Sequence, residues 1–107
     1  MIWYDDPYYG CPHIRRRYKK IKRKIIRKKA HEPVFILAVS LRSNNLMESI
    51  PSRELLQEAY PTEDLAVIGM ACDRAQSKLL AKRIIEEVYA ARGDLDIKSY
   101  LGLCPKG

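Results

Sequence analysis

The segment that decides the fold spans residues 65–93 and reads LAVIGMAC, then D, then RAQSKLLAKRIIEEVYAAR, then G. Residues 65–71 form an almost unbroken apolar run, too short for a helix and rich in Val and Ile, which is typical of a strand covered on both faces. Asp73 suits the N-cap of the following helix, and Gln76 gives a capping-box-like pair with it. Gly93 suits the C-cap. The segment therefore predicts a buried strand followed by one long helix.

Helical spacing divides that long helix into two faces. Leu80, Ile84, Val88 and Ala91 recur along one stripe, whereas charged side chains occupy much of the remaining surface. The stripe predicts the face of the helix that packs on the sheet.

Two further segments complete the predicted sheet and its cover. Residues 34–41, VFILAVSL, have the composition of a strand. Turn-forming residues follow at 42–45, and residues 46–50 can return as a short second strand, with a loop as the alternative. Ser52 suits the N-cap of a short helix that Pro61 closes, with Leu55, Leu56 and Ala59 on its buried face. Near the C-terminus, Asp96 is expected to cap one more helical turn.

The predicted fold is α+β, with a two- or three-stranded sheet packed by helices on one face and preceded by a basic amphipathic N-terminal helix. If residues 46–50 are not a strand, the two remaining strands are expected to be parallel with a right-handed crossover. Such a small sheet has exposed edges and a marginal core, so we expect a homodimer.

The positive charge is concentrated near the N-terminus. The chain has 107 residues and a net charge of +7, and eleven of its 20 Lys and Arg residues lie within residues 15–29. Residues 33–107 carry nine Lys and Arg against ten Asp and Glu, so this part is close to neutral. Because the residue before a proline avoids the helical region, Pro33 predicts a boundary. We therefore divide the chain into an aromatic tail with a basic helical arm, residues 1–32, and a compact α+β domain, residues 33–107.

The arm has the pattern of an amphipathic helix. Ile14, Tyr18, Ile21 and Ile25 recur at helical spacing and form one narrow apolar stripe, with cations on the rest of the surface. Residues 1–12 mix aromatic side chains with Asp, Pro and Gly, which favours turns and predicts a tail that is mobile or docked on a partner.

A cationic helix of this kind is suited to a polyanion, and nucleic acid is the leading choice. Lys and Arg side chains neutralise phosphates, and the released counterions favour binding. The interleaved Tyr18 and His13, together with the tail aromatics, could stack on unpaired bases. The predicted nucleic-acid-binding residues are Arg15, Arg16, Arg17, Tyr18, Lys19, Lys20, Lys22, Arg23, Lys24, Arg27, Lys28 and Lys29.

Three other interpretations of the arm stay open at this point. It could be a solvated charge run whose isoleucines dock on the domain. It could lie on an anionic membrane surface, or serve as an assembly element that packs on an acidic protein partner or a second copy.

No motif with a specific chemistry is present, so we predict no enzyme activity, no metal and no cofactor. Cys72 lies where strand meets helix, a position that can lower the pKa of a thiol, and His31 could approach it in space. The charge of Asp73 opposes a lowered pKa, and a small buried side chain is the favoured interpretation. Cys11 with His13 supplies only two of the four ligands of a zinc site. Gly69 has no glycine partners and makes no phosphate loop.

The sequence predicts a cytoplasmic protein. The longest apolar runs, residues 34–39 and 65–72, are far shorter than the ~20 residues that a membrane span requires, and the N-terminus lacks the layout of a signal peptide. Cys11, Cys72 and Cys104 leave one cysteine unpaired in any intramolecular disulfide, which fits a reducing compartment.

The stretch YPTEDLAVIGMACDRAQSKLLAKRIIEEVYAARGDLDIKSYLG, residues 60–102, resembles small bacterial domains of unknown function. In those domains a strand ending near a glycine leads into a helix finishing EEVY, followed by a short acidic tail that contains Ile. The resemblance covers about the C-terminal half of the chain and carries no catalytic residues over to it. The basic helix lies outside it.

Overall fold

The computed structural model describes residues 1–42, 47–58 and 61–103. Within these residues the chain forms four strands, three α-helices and one 3₁₀-helix. In chain order they are β1 (Ile2–Tyr9), α1 (Pro12–Ile26), β2 (Phe35–Ser40), β3 (Glu48–Pro51), the 3₁₀-helix (Ser52–Leu56), β4 (Leu65–Ala71), α2 (Arg74–Arg92) and α3 (Ile97–Leu101).

The four strands form one mixed sheet in the order β1-β4-β2-β3. β1 runs parallel to β4, with Tyr9 opposite Met70, whereas β2 is antiparallel to both β4 and β3. The α+β class is confirmed, but the sheet is larger than the two or three strands expected. The predicted return strand exists as β3, so the alternative of a parallel pair formed by the strands now called β2 and β4 is wrong.

The additional strand is β1, in a segment where we expected turns. Asp5, Asp6 and Pro7 suggested a turn, but they coincide with the shift in register between Trp3 and Tyr8. Proline is tolerated in an edge strand, which need not donate every backbone N–H, and aromatic residues favour strands. A bulged edge strand therefore accommodates the turn-forming residues without losing its pairing to β4.

The aromatic side chains of β1 contribute to the packing on both faces of the sheet. Trp3 and Tyr9 pack against the core beneath α1, whereas Tyr4 and Tyr8 pack against the core beneath α2. Successive side chains of a strand point to opposite faces of the sheet. Residues 3 and 4 therefore lie on opposite faces, and so do residues 8 and 9.

Helices cover both faces of the sheet, which corrects our expectation of helices on one face. α1 and the 3₁₀-helix lie over one face, where the stripe Ile14, Tyr18, Ile21 and Ile25 is buried. α2 and α3 lie over the other face. The part of the chain before Pro33, which we expected to be an arm, thus shares the sheet and one core with the part after it.

This double cover explains the composition of the central strand. In β4, Val67 and Met70 belong to the core beneath α1, whereas Ala66 and Ile68 belong to the core beneath α2. Every residue of β4 is buried, and this is why its sequence is apolar throughout rather than alternating.

The predicted helix ends are confirmed for α2 and α3. The Asp73 carboxylate accepts a hydrogen bond from the backbone N–H of Gln76 at 2.8 Å, and Gly93 closes α2 in the left-handed conformation with a φ of 76°. Asp96 caps α3 by accepting from the N–H of Ser99 at 3.2 Å. Ala91 is exposed, so the buried stripe of α2 ends at Val88.

The segment after β3 differs from the predicted capped helix. It is a 3₁₀-helix with Pro51 at its N-cap, and Ser52 is its first residue. Ser52 is buried because its Oγ accepts from the backbone N–H of Val34 at 3.2 Å, and this bond ties the segment to the start of β2. Of the predicted inner face, Leu55 is buried and Leu56 half-buried, while Ala59 lies outside the described residues.

Candidate functional site

α1 presents a cationic surface to solvent. The helix places the four residues of its apolar stripe on the sheet, and the 3.6-residue period then turns the intervening basic residues outward. We use the name cationic surface for the following side chains, all exposed or half-buried: Arg15, Arg16, Lys19, Lys20, Lys22, Arg23, Lys24, Arg27, Lys28 and Lys29.

Arg17 is the one predicted binding residue that pairs with a carboxylate in the described parts of the chain. Its Nε donates to Glu32, whose other carboxylate oxygen lies 3.1 Å from Nε2 of His13. These hydrogen bonds, first from Arg17 and then from His13, lower the pKa of Glu32 below its ordinary value. Glu32 thus joins the loop after α1 to the first turns of the helix, and Arg17 is less available to a partner than its neighbours.

Lys28 has a structural partner of another kind. Its Nζ donates to the backbone carbonyl of Leu55 at 2.5 Å and links the end of α1 to the 3₁₀-helix. Lys28 itself has a φ of 56°, in the left-handed region. The rest of the cationic surface forms no ion pair with a carboxylate in the described residues, so most of its charge is uncompensated within the chain.

Tyr18, which we predicted to be a binding residue, lies in the core. Its side chain is only 5% exposed and makes edge contacts with Trp3 and Tyr9, at ring-centroid distances of 6.4 and 5.4 Å. Burial, with a smaller effect from Tyr9, raises the pKa of Tyr18 to about 12. Its hydroxyl has no hydrogen-bond partner among the described residues. Tyr18 therefore anchors α1 on β1 and is not available for stacking on bases.

Two residues outside the predicted set of nucleic-acid-binding residues lie beside the cations. Trp3 is half-buried, and the Nζ of Lys22 lies 5.5 Å from the centre of its ring, a cation–π contact. Ile26 is 54% exposed and lines a shallow depression of about 440 Å³ together with Lys19, Lys22, Arg23 and Arg27. An isoleucine left outside the buried stripe was the sequence signal for this apolar patch among cations.

A second depression, of about 560 Å³, lies between β1, α2 and α3. The hydroxyl of Tyr8 donates a hydrogen bond to the carboxylate of Glu87. Burial raises the pKa of Tyr8 most, and this hydrogen bond and the negative charge of Glu87 raise it further. Tyr4 and Tyr100 also line it. Because the Glu87 carboxylate is already bound by Tyr8, we interpret the hydrogen bond between Tyr8 and Glu87 as a link that holds the edge strand β1 to α2.

The thiol of Cys72 does not meet the histidine that could have activated it. His31 lies elsewhere, with Nε2 at 2.8 Å from Ser52 Oγ and Nδ1 at 3.0 Å from the carbonyl of Lys29. Burial, then the hydrogen bond and charge of Cys11, raise the pKa of Cys72 to about 11. The neighbour of Cys72 is thus Cys11, a pairing that the sequence analysis did not predict.

Within residues 1–42, 47–58 and 61–103, no three side chains of His, Cys, Asp or Glu are grouped in a way that could hold a metal ion. No helix in that part of the chain has both the length and the apolar composition to cross a bilayer. Comparison with protein-family models, with curated proteins and with solved structures gave no match. The function therefore has to be inferred from the surface of this chain.

Proposed function

We propose that the protein is a non-enzymatic binding module that contacts nucleic acid through the cationic surface of α1. The observation that carries the proposal is the one-sided placement of charge on this helix. The apolar stripe of α1 is buried in the core. Within the described residues, Arg17 is the only Lys or Arg of this helix that is paired with a carboxylate. Such a surface attracts phosphates over a distance of about 8–10 Å at physiological salt.

The dimensions of the surface suit a nucleic-acid backbone. From Arg15 to Arg27 the helix rises by about 18 Å, at ~1.5 Å per residue. Phosphates of one strand repeat every ~3.4 Å along a duplex, so the surface spans about five of them. A helix also fits the major groove, which is about 12 Å wide. Contacts of this kind hold the protein on the backbone without selecting a base sequence.

The docked position of α1 is also what the interpretation as a solvated charge run expects, and the proposal adds to it a nucleic-acid partner for the exposed cations. A helix held by Ile14, Ile21 and Ile25 presents its cations as a fixed array, so less conformational entropy is lost when a rigid partner binds. The depression around Ile26 provides an apolar contact among these cations. We include the cytoplasmic location in this proposal because it would give access to nucleic acid.

The proposal is tested by the salt dependence of binding to a fluorescent duplex, measured by anisotropy. Five phosphate contacts correspond to a slope of log K against log salt of about −4.5, or about a 500-fold loss of affinity between ~50 and ~200 mM salt. A triple variant, Lys19→Gln, Lys20→Gln and Arg23→Gln, removes three exposed cations while keeping good helix formers. Its slope should fall to about −2.

A matched control removes the same charge from other elements. Arg53→Gln, Lys78→Gln and Lys82→Gln change three exposed cations outside α1, and this variant should keep the affinity and slope of the parent. Equal weakening by both triple variants would mean that net charge, and not α1, drives binding. A parent protein that fails to bind any duplex, single-stranded DNA or RNA at ~50 mM salt rules the proposal out.

The alternative is an acidic protein partner, which would use the same cations. The version of this alternative in which the isoleucine stripe packs on a partner loses its surface, because that stripe is buried on the sheet of its own chain. Binding of polyglutamate by the parent, without binding of nucleic acid, would favour the acidic partner. The homodimer stays a prediction: β1 and β3 are the edges available for pairing, and a monomer mass by light scattering would overturn it.

A further inference from the structure

Cys11 and Cys72 lie side by side at the ends of two neighbouring parallel strands. In the pairing of β1 with β4, Tyr8 is opposite Gly69 and Tyr9 is opposite Met70. The N–H of Gly10 then donates to the carbonyl of Met70 at 2.8 Å. Both segments extend one residue further, so Cys11 and Cys72 are neighbours: both side chains pack against the core beneath α1, and each thiol shifts the pKa of the other.

Gly10 permits this close approach. A Cβ atom at residue 10 would lie 2.8 Å from the Cβ of Ala71 and 3.0 Å from its Cα, which is closer than side chains pack. Neighbouring strands are about 4.8 Å apart. That separation lies within the ~4.4–6.8 Å between Cα atoms that a disulfide requires. The strand spacing at this point is therefore compatible with a disulfide between residues 11 and 72, which are free thiols in this structure.

The two thiols have different surroundings. Burial raises the pKa of Cys11, but Cys72 and the nearby backbone amides of Ile14 and His13 favour its thiolate and outweigh burial, so the pKa is lowered overall. These amides belong to the start of α1, where Cys11 is the N-cap residue, although its side chain completes no capping hydrogen bond. The pKa of Cys72 is raised. Cys11 is thus the thiol more readily ionised, and Cys72 holds its proton.

Cys11 is also accessible from an open depression of about 430 Å³. Residues of β1 and the turn after it form most of the wall, and Arg15 from α1 and Arg83 from α2 complete it. The lining contains two guanidinium groups and no carboxylate. Arginine binds carboxylates in a paired, planar geometry, so the depression favours small molecules with acidic groups.

We propose that Cys11 and Cys72 form a redox-active dithiol that exchanges with small disulfides carrying carboxylate groups. The carboxylate binds Arg15 and Arg83, which brings the disulfide bond to Cys11. The site shares Arg15 with the cationic surface, but thiol–disulfide exchange at Cys11 and Cys72 does not depend on nucleic-acid binding.

The reaction proceeds in two exchanges. The Cys11 thiolate attacks one sulfur of the disulfide RSSR, which forms a Cys11–S–S–R mixed disulfide and releases RS⁻, and this thiolate takes up a proton. Cys72 then loses its proton to solvent, its sulfur attacks the sulfur of Cys11, and the second RS⁻ leaves. Two electrons pass from the protein dithiol to RSSR. The products are the Cys11–Cys72 disulfide and two molecules of RSH.

The test uses the full chain with Cys104→Ser, so that only the two thiols react. The reduced protein is mixed with oxidised glutathione, which carries carboxylates, or with the neutral bis(2-hydroxyethyl) disulfide, and followed by intact mass and peptide mapping. We expect loss of two hydrogen atoms and a linked Cys11–Cys72 peptide. With Cys72→Ser added, a stable glutathione adduct should accumulate on Cys11, whereas Cys11→Ser should react at least tenfold more slowly.

Separate variants test whether Arg15 and Arg83 select disulfides that carry carboxylate groups. Arg15→Gln with Arg83→Gln should slow the reaction with oxidised glutathione at least threefold and leave the rate with the neutral disulfide unchanged. Arg53→Gln, which changes an exposed arginine of the 3₁₀-helix outside both the depression and the cationic surface, is the control. Failure to form the intramolecular disulfide, or equal adduct formation on both cysteines, would overturn the dithiol. Equal slowing with both disulfides would overturn the selection of carboxylates.

Discussion

Replacing Ile21 by Ala tests whether α1 is an integral part of the fold. Ile21 is 1% exposed and belongs to the core beneath α1, with Ile14 and Ile25 along the same stripe. The substitution removes three buried carbon groups at about 0.8 kcal/mol each, or about 2.4 kcal/mol. The cavity left beneath the helix adds to this loss, so the free energy of unfolding should fall by about 3 kcal/mol.

The matched control is Ile26→Ala on the same helix. This isoleucine is 54% exposed, so the same chemical change should cost less than about 0.5 kcal/mol. Both variants are compared with the parent by urea unfolding followed by circular dichroism. With an m-value of about 1.5 kcal/mol/M, the midpoint for Ile21→Ala should fall by about 2 M, and that for Ile26→Ala should barely move.

The pair of variants separates a docked helix from a detached one. A basic arm that is only solvated, or that folds against a separate partner, would leave the unfolding of the sheet unchanged by either substitution. If Ile21→Ala and Ile26→Ala unfold within about 0.5 kcal/mol of each other, the docking of α1 described above is wrong. The cationic surface would then lose the fixed geometry on which the proposed function rests.

Three further substitutions test individual contacts. Gly10→Ala should lower the free energy of unfolding by about 1–3 kcal/mol in chemical denaturation, because the new methyl group overlaps Ala71. Tyr18→Phe should leave the protein as stable as the parent or up to about 1 kcal/mol more stable, because the lost hydroxyl is buried without a partner among the described residues. Glu32 has a lowered pKa, so its contribution to stability is present at neutral pH and is lost as the pH falls through its folded pKa. Glu32→Gln should therefore destabilise the protein at pH 7, and the difference from the parent should shrink between about pH 5 and pH 3 in thermal melts.

Each of these expectations has a result that would contradict it. An unchanged stability in Gly10→Ala would mean that β1 and β4 separate more easily than their spacing implies. A loss of more than about 1 kcal/mol in Tyr18→Phe would show that the hydroxyl is hydrogen-bonded in solution. A stability difference for Glu32→Gln that is the same at neutral and acid pH would show that the carboxylate does not favour the folded state through Arg17 and His13.

The sequence alone determined the elements whose signals are local. The apolar run of β4, the Asp73 cap, the Gly93 stop and the stripe of α2 lie within one stretch, and each depends on neighbours a few residues away. The same holds for α1, whose helical period identified both its buried stripe and the outward position of its cations. Hydrophobic period and capping act over one or two turns, and a sequence displays them directly.

The tertiary structure decided what those signals could not. β1 was missed because Asp5, Asp6 and Pro7 favour a turn, whereas the pairing that makes a strand of them comes from β4, some sixty residues later. The face of the sheet that a helix covers depends on the side on which its connection crosses the sheet. This is why α1 and α2 lie on opposite faces. The juxtaposition of Cys11 with Cys72 arose in the same way, because contacts between strands distant in the chain exist only once the sheet has formed.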